Sequence, residues 1–450
     1  MGKWLLVFFA IPLWGQSAAD WKTVLDRLDK LERENVELRE QVKTLAVRLG
    51  EPAATAPAAP TPTLEERVAI QEERTSEQAQ VKVESTHRFP IRLTGMALFN
   101  TYFSGPNASG DIFTTASPTP SRNIGGATFR QSIIGLEYFG PTTFGGGQIR
   151  GSLFMDFFGG FNDNGSNPLR IRTANLEIDW KTRTFAVGIE KAIFAPREPT
   201  SLATVGVSPL TSAGNLWRWQ PQVRFEQRMA VSDATDFTAQ VGLIQTAEDS
   251  TVNGLGTPVY DGRGGLEGGF ERRRPGLEGR FEVAHRFSDK RRIEIAPGFH
   301  VSDSHVLDIT VPSRIFSGDW LIAPFPKLEF TGAFFKGENV QHLGALRQGV
   351  TILPNGQPIP VHSIGGWGQL AFNPGGKLMF HLMAGVHDDR SSDLVGAERI
   401  GQNRIGAANI MYRLAPNVVG SFEFMNVRTN YLGLGWRLQN RFDLGLAYQF

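Results

Sequence analysis

The sequence predicts a transmembrane antiparallel β-barrel of about sixteen strands, preceded by an N-terminal coiled-coil helix. Three observations carry this. In the last ten residues Phe442, Leu444, Leu446, Tyr448 and Phe450 alternate with Arg441, Asp443, Gly445, Ala447 and Gln449. The same period of two recurs from Phe89 to the end of the chain. The links between the repeating segments alternate short and long, as in outer-membrane barrels. A strand with one greasy and one wet face can sit between lipid and a water-filled lumen. The strip Phe442, Leu444, Leu446, Tyr448 and Phe450 is expected to act as an assembly signal, handed to the barrel-assembly machinery.

From the N-terminus, Met1-Gly2-Lys3 gives a positive start, Trp4 to Trp14 an apolar run broken only by Pro12, and Ser17-Ala18-Ala19 a small-residue site. The run is too short to span a bilayer, so residues 1–19 are expected to be a cleaved secretory signal. Residues 20–49 predict a periplasmic coiled coil. Trp21, Val24, Leu28, Leu31, Leu38, Val42, Leu45 and Leu49 recur at alternating steps of three and four, with Asn35 in the remaining slot. A buried Asn at an a position penalises wrong registers. Leu28, Leu31, Asn35, Leu38, Val42 and Leu45 are the expected oligomerisation residues. Residues 50–88 read as an extended Pro/Ala linker followed by a polar neck. Residues 89–450 are the expected barrel domain.

Composition narrows the function. Cysteine is absent, which excludes disulfides, thiolate metal sites and a Cys nucleophile. Net charge is +1, so nucleic acid is not an implied partner. After residue 88 the basic residues are 28 Arg and 6 Lys. Arg recognises carboxylate and phosphate through a planar fork, although a codon bias would give the same excess.

The strand pattern names the lumen-facing residues. In the first segment Ile91, Leu93, Ala97, Phe99 and Phe103 oppose Arg92, Thr94, Asn100 and Tyr102. Ile149, Leu153, Met155 and Phe157 oppose Arg150, Ser152 and Asp156; Val223, Phe225, Met229 and Val231 oppose Arg224, Glu226 and Arg228. The expected pore lining is Arg92, Arg150, Asp156, Arg170, Arg172, Arg224, Glu226 and Arg228. Long loops are expected near 104–126, 159–168, 195–220, 248–272, 302–312, 339–361, 390–400 and 429–438. With an even strand count both barrel ends lie on the short-turn, periplasmic side. The loop after the fifth strand, carrying Arg197, Glu198, Trp217, Arg218 and Trp219, is the expected constriction; the alternative is a lid that never enters the lumen.

Several segments resemble the DcaP-like outer-membrane porins: Met155-Asp156-Phe157-Phe158-Gly159, Leu169-Arg170-Ile171-Arg172-Thr173-Ala174, Trp219-Gln220-Pro221-Gln222-Val223-Arg224-Phe225-Glu226, Gly337-Glu338-Asn339, Gly365-Gly366-Trp367 and Asn409-Ile410-Met411-Tyr412. They occur in order across the barrel. The resemblance implies a trimeric sixteen-stranded porin with a periplasmic coiled coil and a taste for anionic solutes such as dicarboxylates. This chain departs from the pattern at Ser132-Ile133-Ile134-Gly135, where the family carries an Arg, and at Gly188-Ile189-Glu190, where it carries Gly-Gln.

No enzyme constellation emerges. His285 shares the face of Phe281, Val283 and Phe287, and His387-Asp388-Asp389 reads as a solvated loop tip rather than a metal site. No cofactor and no metal are expected. Two functions therefore fit: a passive porin for small hydrophilic solutes with a lean to anions, and an outer-membrane anchor reaching peptidoglycan through the coiled coil. Sixteen strands leave an aqueous channel, which favours transport. Outer-membrane lipid, copies of the same chain and small solutes are the expected partners.

Overall fold

The computed structural model describes residues 90–450, except 109–113, 118–121, 160–166, 246–273, 307–308 and 347. The expected signal, coiled coil and linker, with the expected oligomerisation residues Leu28, Leu31, Asn35, Leu38, Val42 and Leu45, lie outside the described residues.

Sixteen antiparallel strands close into a barrel. They are β1 (Ile91–Ala108), β2 in two halves (Arg122–Thr128 and Ile133–Thr142), β3 (Gln148–Asp156), β4 (Arg170–Asp179), β5 (Arg183–Lys191), β6 (Trp219–Ser232), β7 (Thr235–Ile244) and β8 (Gly276–Ser288). They continue as β9 (Arg291–Val306), β10 (Ile309–Phe325), β11 (Leu328–Glu338), β12 (His362–Gly375), β13 (Leu378–Asp389), β14 (Ile400–Ala415), β15 (Val418–Tyr431) and β16 (Gly435–Gln449). Both halves of β2 pair with β1, so they form one interrupted strand.

Closure joins the two ends of the domain. β1 pairs with β16 from Met96–Gln449 to Ser104–Arg441. Phe450 extends the seam: its N–H donates to Gly95 O at 3.1 Å and its carbonyl accepts from Gly95 N at 3.0 Å. A side chain at Gly95 would fall 2.4 Å from Ile133 O and 2.8 Å from the Phe450 ring, so only glycine lets the seam close here. Closing the sheet removes its edges, the condition for backbone to sit in hydrocarbon.

Alternation sets the two faces. Leu444, Leu446 and Tyr448 on β16 point outward and are about half exposed, while Arg441 and Asp443 point inward and are buried. His285 stays on the outward set, bonded to Thr235. The links at one end are tight, with two residues between β4 and Arg183 beyond Trp180, and only Pro416-Asn417 between β14 and β15.

Three readings of the sequence need correction. No long loop spans 302–312, because β9 and β10 run on to pair Val306 with Ile309. The 429–438 loop shrinks to Leu432-Gly433-Leu434, because β15 and β16 pair up to Tyr431–Gly435. In both cases Ser, Thr and Gly suggest a loop, yet alternation continues through them, with Ser302, Ser304 and Thr429 on the buried inner face. His387 and Asp389 are the third: they end strand β13, buried and bonded at 2.8 Å rather than solvated on a loop tip.

Candidate functional site: the lumen and its inward loop

The inner wall divides into two unlike halves, because the segment 192–218 between β5 and β6 folds into the barrel. Its apolar residues Phe194, Leu210, Ala213 and Leu216 are almost wholly buried. They pack on Phe335, Trp367, Met383, Ile405, Met425 and Val427, inward-facing residues of β11–β15. At these positions the inner face of the strands is apolar, matching the loop residues that cover it. That burial supplies the driving force for holding an irregular segment inside, at about 25 cal/mol per Å² of apolar surface removed from water.

The backbone of the loop is satisfied by wall side chains, as buried peptide groups require. Asn100 donates to Leu202 O at 3.1 Å, Asn409 to Thr200 O at 2.8 Å, Asn403 to Ser212 O at 2.9 Å and Ser317 to Phe194 O at 2.9 Å. Glu278 accepts from Ile193 N at 2.7 Å. Gly385 faces inward and meets the loop, where a Cβ would sit 2.1 Å from Ala213 O. Residues 114–117 join the same filling: Tyr431 donates to Ser117 O and Asn403 to Thr115 O, each at 2.8 Å.

Arg197 pins the loop electrostatically. It reaches Asp319 at 2.5 Å, Glu294 at 2.7 Å and Glu282 at 3.2 Å. Arg280 binds the same Asp319 at 2.7 and 2.8 Å. Glu198 bridges to Lys191 at 3.0 Å and accepts from Ser208. Trp217 is buried and meets Trp219 edge-on with ring centres 5.3 Å apart. Arg218 lies beside His342, reaching its carbonyl at 3.5 Å. Trp219 is the first residue of strand β6 rather than part of the loop.

The opposite wall, β1 to β7, keeps its charged side chains open to the lumen. Asp156 is buried and receives Arg170 in a two-pronged contact at 2.8 and 3.0 Å. Arg172 stands 3.6 Å from the same carboxylate. Strict alternation would send Arg170 and Arg172 to the face opposite Asn175 and Glu177. A bulge at Arg172, where the register steps from Phe154–Thr173 to Met155–Ile171, turns both toward Asp156. Arg130 completes the group, stacked 4.4 Å over Phe158. Arg172 lies 4.8 Å over Trp219. Three guanidiniums thus converge around one buried carboxylate.

Lower on this wall the charges are paired. Arg92 bridges to Glu137, Arg224 to Glu190 at 3.2 Å, and Arg228 to Asp179 at 2.6 Å and Glu226 at 2.8 Å. Arg150 stands opposite Glu177 across β3 and β4, with no ion pair closer than 4 Å among the described residues. All eight expected lining residues therefore lie on or beside this wall. The sequence reading missed Arg130, which sits in the break between the halves of β2. It also missed Glu278, Asn409 and Glu423, buried polar positions whose spacing was available but whose partner, the loop, was not; Asn100 was assigned inward, but not its bond to the loop.

No protein-family model matches this chain, and no curated protein matches it in sequence. Among solved structures it is similar to the outer membrane channel DcaP of Acinetobacter baumannii, at 16% identity over 80% of this chain and 97% of that one, with a TM-score of 0.60. It is also similar to an anion-selective porin from Comamonas acidovorans, at 12% identity over 80% of this chain and 99% of that one, with a TM-score of 0.51. At such identities the likeness is one of fold: the chain is a closed sixteen-stranded barrel built as the outer-membrane channel DcaP is built.

Proposed function

We propose that the protein is an outer-membrane porin, a passive diffusion channel for small hydrophilic solutes that leans toward anions such as dicarboxylates. The observation that carries this is the unequal wall. The loop covers one half, and the half it leaves open holds Arg130, Arg170 and Arg172 around the buried carboxylate of Asp156, with Glu198 of the loop as a second carboxylate near Arg172, so the guanidiniums outnumber the carboxylates. A local excess of positive charge in a confined aqueous space concentrates anions, and planar guanidiniums match carboxylates. A similarly folded barrel described as anion-selective agrees with this lean. The 192–218 loop, with Arg197, Glu198, Trp217 and Arg218, is the proposed constriction, facing Arg92, Arg150, Arg224, Glu226 and Arg228.

The test is reversal potential across a planar bilayer in a salt gradient. The double variant Arg170→Gln with Arg172→Gln should lose anion preference while keeping conductance. Unchanged selectivity in that variant would overturn the assigned role. An oligomer is proposed on the heptad run and a homotrimer on the resemblance to the DcaP-like porins, and mass measurement of the detergent-extracted protein tests both: a monomer would rule out the oligomer, and a dimer would rule out the trimer.

A further inference from the structure

Among the charges on the outward face of the barrel, one pair is unlike the rest. Arg404 on β14 and Arg428 on β15 are directly opposite each other in the register, and both are exposed. Like charges directly opposite are destabilising. Neither has a carboxylate within ion-pair distance among the described residues. Instead amides hold their inner nitrogens. Arg404 Nε donates to Gln402 Oε1 at 2.8 Å, and Arg428 Nε to Asn426 Oδ1 at 3.0 Å. Those amides are themselves fixed, Gln402 by Asp388 at 2.5 Å and Asn426 by Asn440 at 2.6 Å. Arg404 also stacks 5.1 Å over Trp436. Two oriented guanidiniums whose outer nitrogens have no partner among the described residues form a site for a doubly accepting anion.

Their height identifies the setting. Arg404 lies eleven residues above Ala415 and Arg428 ten above Val418, where the strands meet the tight-turn end. At about 3.3 Å per residue and a tilt near 45°, that is roughly 25 Å, the height of a lipid-facing apolar band. The pair therefore sits where hydrocarbon gives way to headgroups. The same outer surface below and beside it is a groove of about 940 Å³. Phe334, Ile364 and Val386 wall the groove, and Gly366, Gly368 and Gly406 leave it hollow.

We infer that this outer face of β11–β15 binds a phosphate-bearing, acylated lipid of the outer leaflet, with the phosphate on Arg404 and Arg428 and an acyl chain in the groove. The inference rests on the membrane placement proposed above and not on conduction. A channel that failed to conduct would leave it intact. Lipid rather than a second copy of the chain is favoured by the pairing of a basic site at headgroup height with an apolar groove below it.

The experiment is native mass spectrometry of the full detergent-extracted protein with diphosphoryl lipid A and its dephosphorylated form as probes. The unaltered protein should retain the diphosphoryl form at least tenfold better than the dephosphorylated one. Arg404→Ala with Arg428→Ala should abolish that preference. Gly406→Leu should weaken retention of both lipids with the barrel intact, because a Cβ there meets only open space. Equal retention by all variants would overturn the inference. Displacement by millimolar inorganic phosphate with Gly406→Leu silent would replace it with a free-anion site. Loss of oligomer mass in the double variant without loss of lipid would replace it with a subunit contact.

Discussion

Arg197→Ala tests how the inward loop is held and what it contributes to the pore. Arg197 belongs to a cluster in which Arg197, Arg280 and Arg292 face Asp319, Glu282, Glu294 and Glu329. Three guanidiniums against four carboxylates leave one negative charge, and the substitution leaves two. Asp319 is almost fully buried but keeps both bonds from Arg280. The cost to the loop is therefore that of lost charge-assisted bonds, roughly 1.5–3 kcal/mol, and not the 3–5 kcal/mol or so of an orphaned buried charge. Phe194, Leu210 and the bonds from Asn100, Asn409 and Ser317 remain, so the loop should loosen at Arg197 without leaving the barrel. One added negative charge about 10 Å from a passing ion is worth roughly 0.4 kcal/mol in water. Unscreened, that doubles local cations and halves anions; with screening the shift in their ratio is roughly threefold at 10 mM salt and below about twofold at 0.1 M. Reversal potentials at 10 mM and 100 mM salt, about one Debye length of 30 and 10 Å respectively, measure it, with Arg197→Lys as the charge-preserving control. No shift at low salt, or a shift toward anions, would refute the placement of this cluster beside the ion path.

Three further predictions follow from other contacts. Leu446→Asp puts a charge on an outward position that is about half exposed, at a cost of up to roughly 2–4 kcal/mol near the bilayer midplane, somewhat less for Asp; the folded fraction in the outer membrane should fall, and unchanged assembly would refute the register of β16. Gly385→Val drives a side chain into Ala213 O, so it should lift the loop, raise conductance and expose 192–218 to protease, whereas wild-type values would show that the loop does not depend on this contact. His342, in the long segment between β11 and β12, is fully buried and its ring nitrogens have no partner among the described residues. Burial, reinforced by His300 and Arg218, holds its pKa well below the usual value. The unfolded chain therefore binds the extra proton, and the stability this group contributes is present above about pH 6.5 and falls by up to roughly 1.4 kcal/mol per unit below it. Urea midpoints at pH 7 and 5 should converge in His342→Leu, and an unchanged acid sensitivity in that variant would remove His342 as the cause.

The barrel was legible because a period of two runs through strands of 9 to 18 residues, and on the proposed membrane placement the outward face of every strand meets the same apolar surroundings. Ile91 to Phe103 and Phe442 to Phe450 could thus be assigned to faces from sequence. The lumen was less legible because its second surface is another part of the same chain. Phe335, Trp367, Met383 and Met425 face inward against the loop, so they blur the expected apolar-out, polar-in pattern. Arg172 reaches Asp156 only through a bulge, which no spacing rule announces. The extent of the loops failed at Ser302 and Thr429, where small polar residues were read as turns although they continue a buried inner face.

The central claim is an open channel whose uncovered wall favours anions. The reversal potential of the unaltered full chain in a tenfold KCl gradient tests it most directly. The account predicts steady conductance with the sign of chloride-selective flow, weakening as total salt rises. A cation-selective potential, or a reconstituted barrel that carries no current, would contradict it.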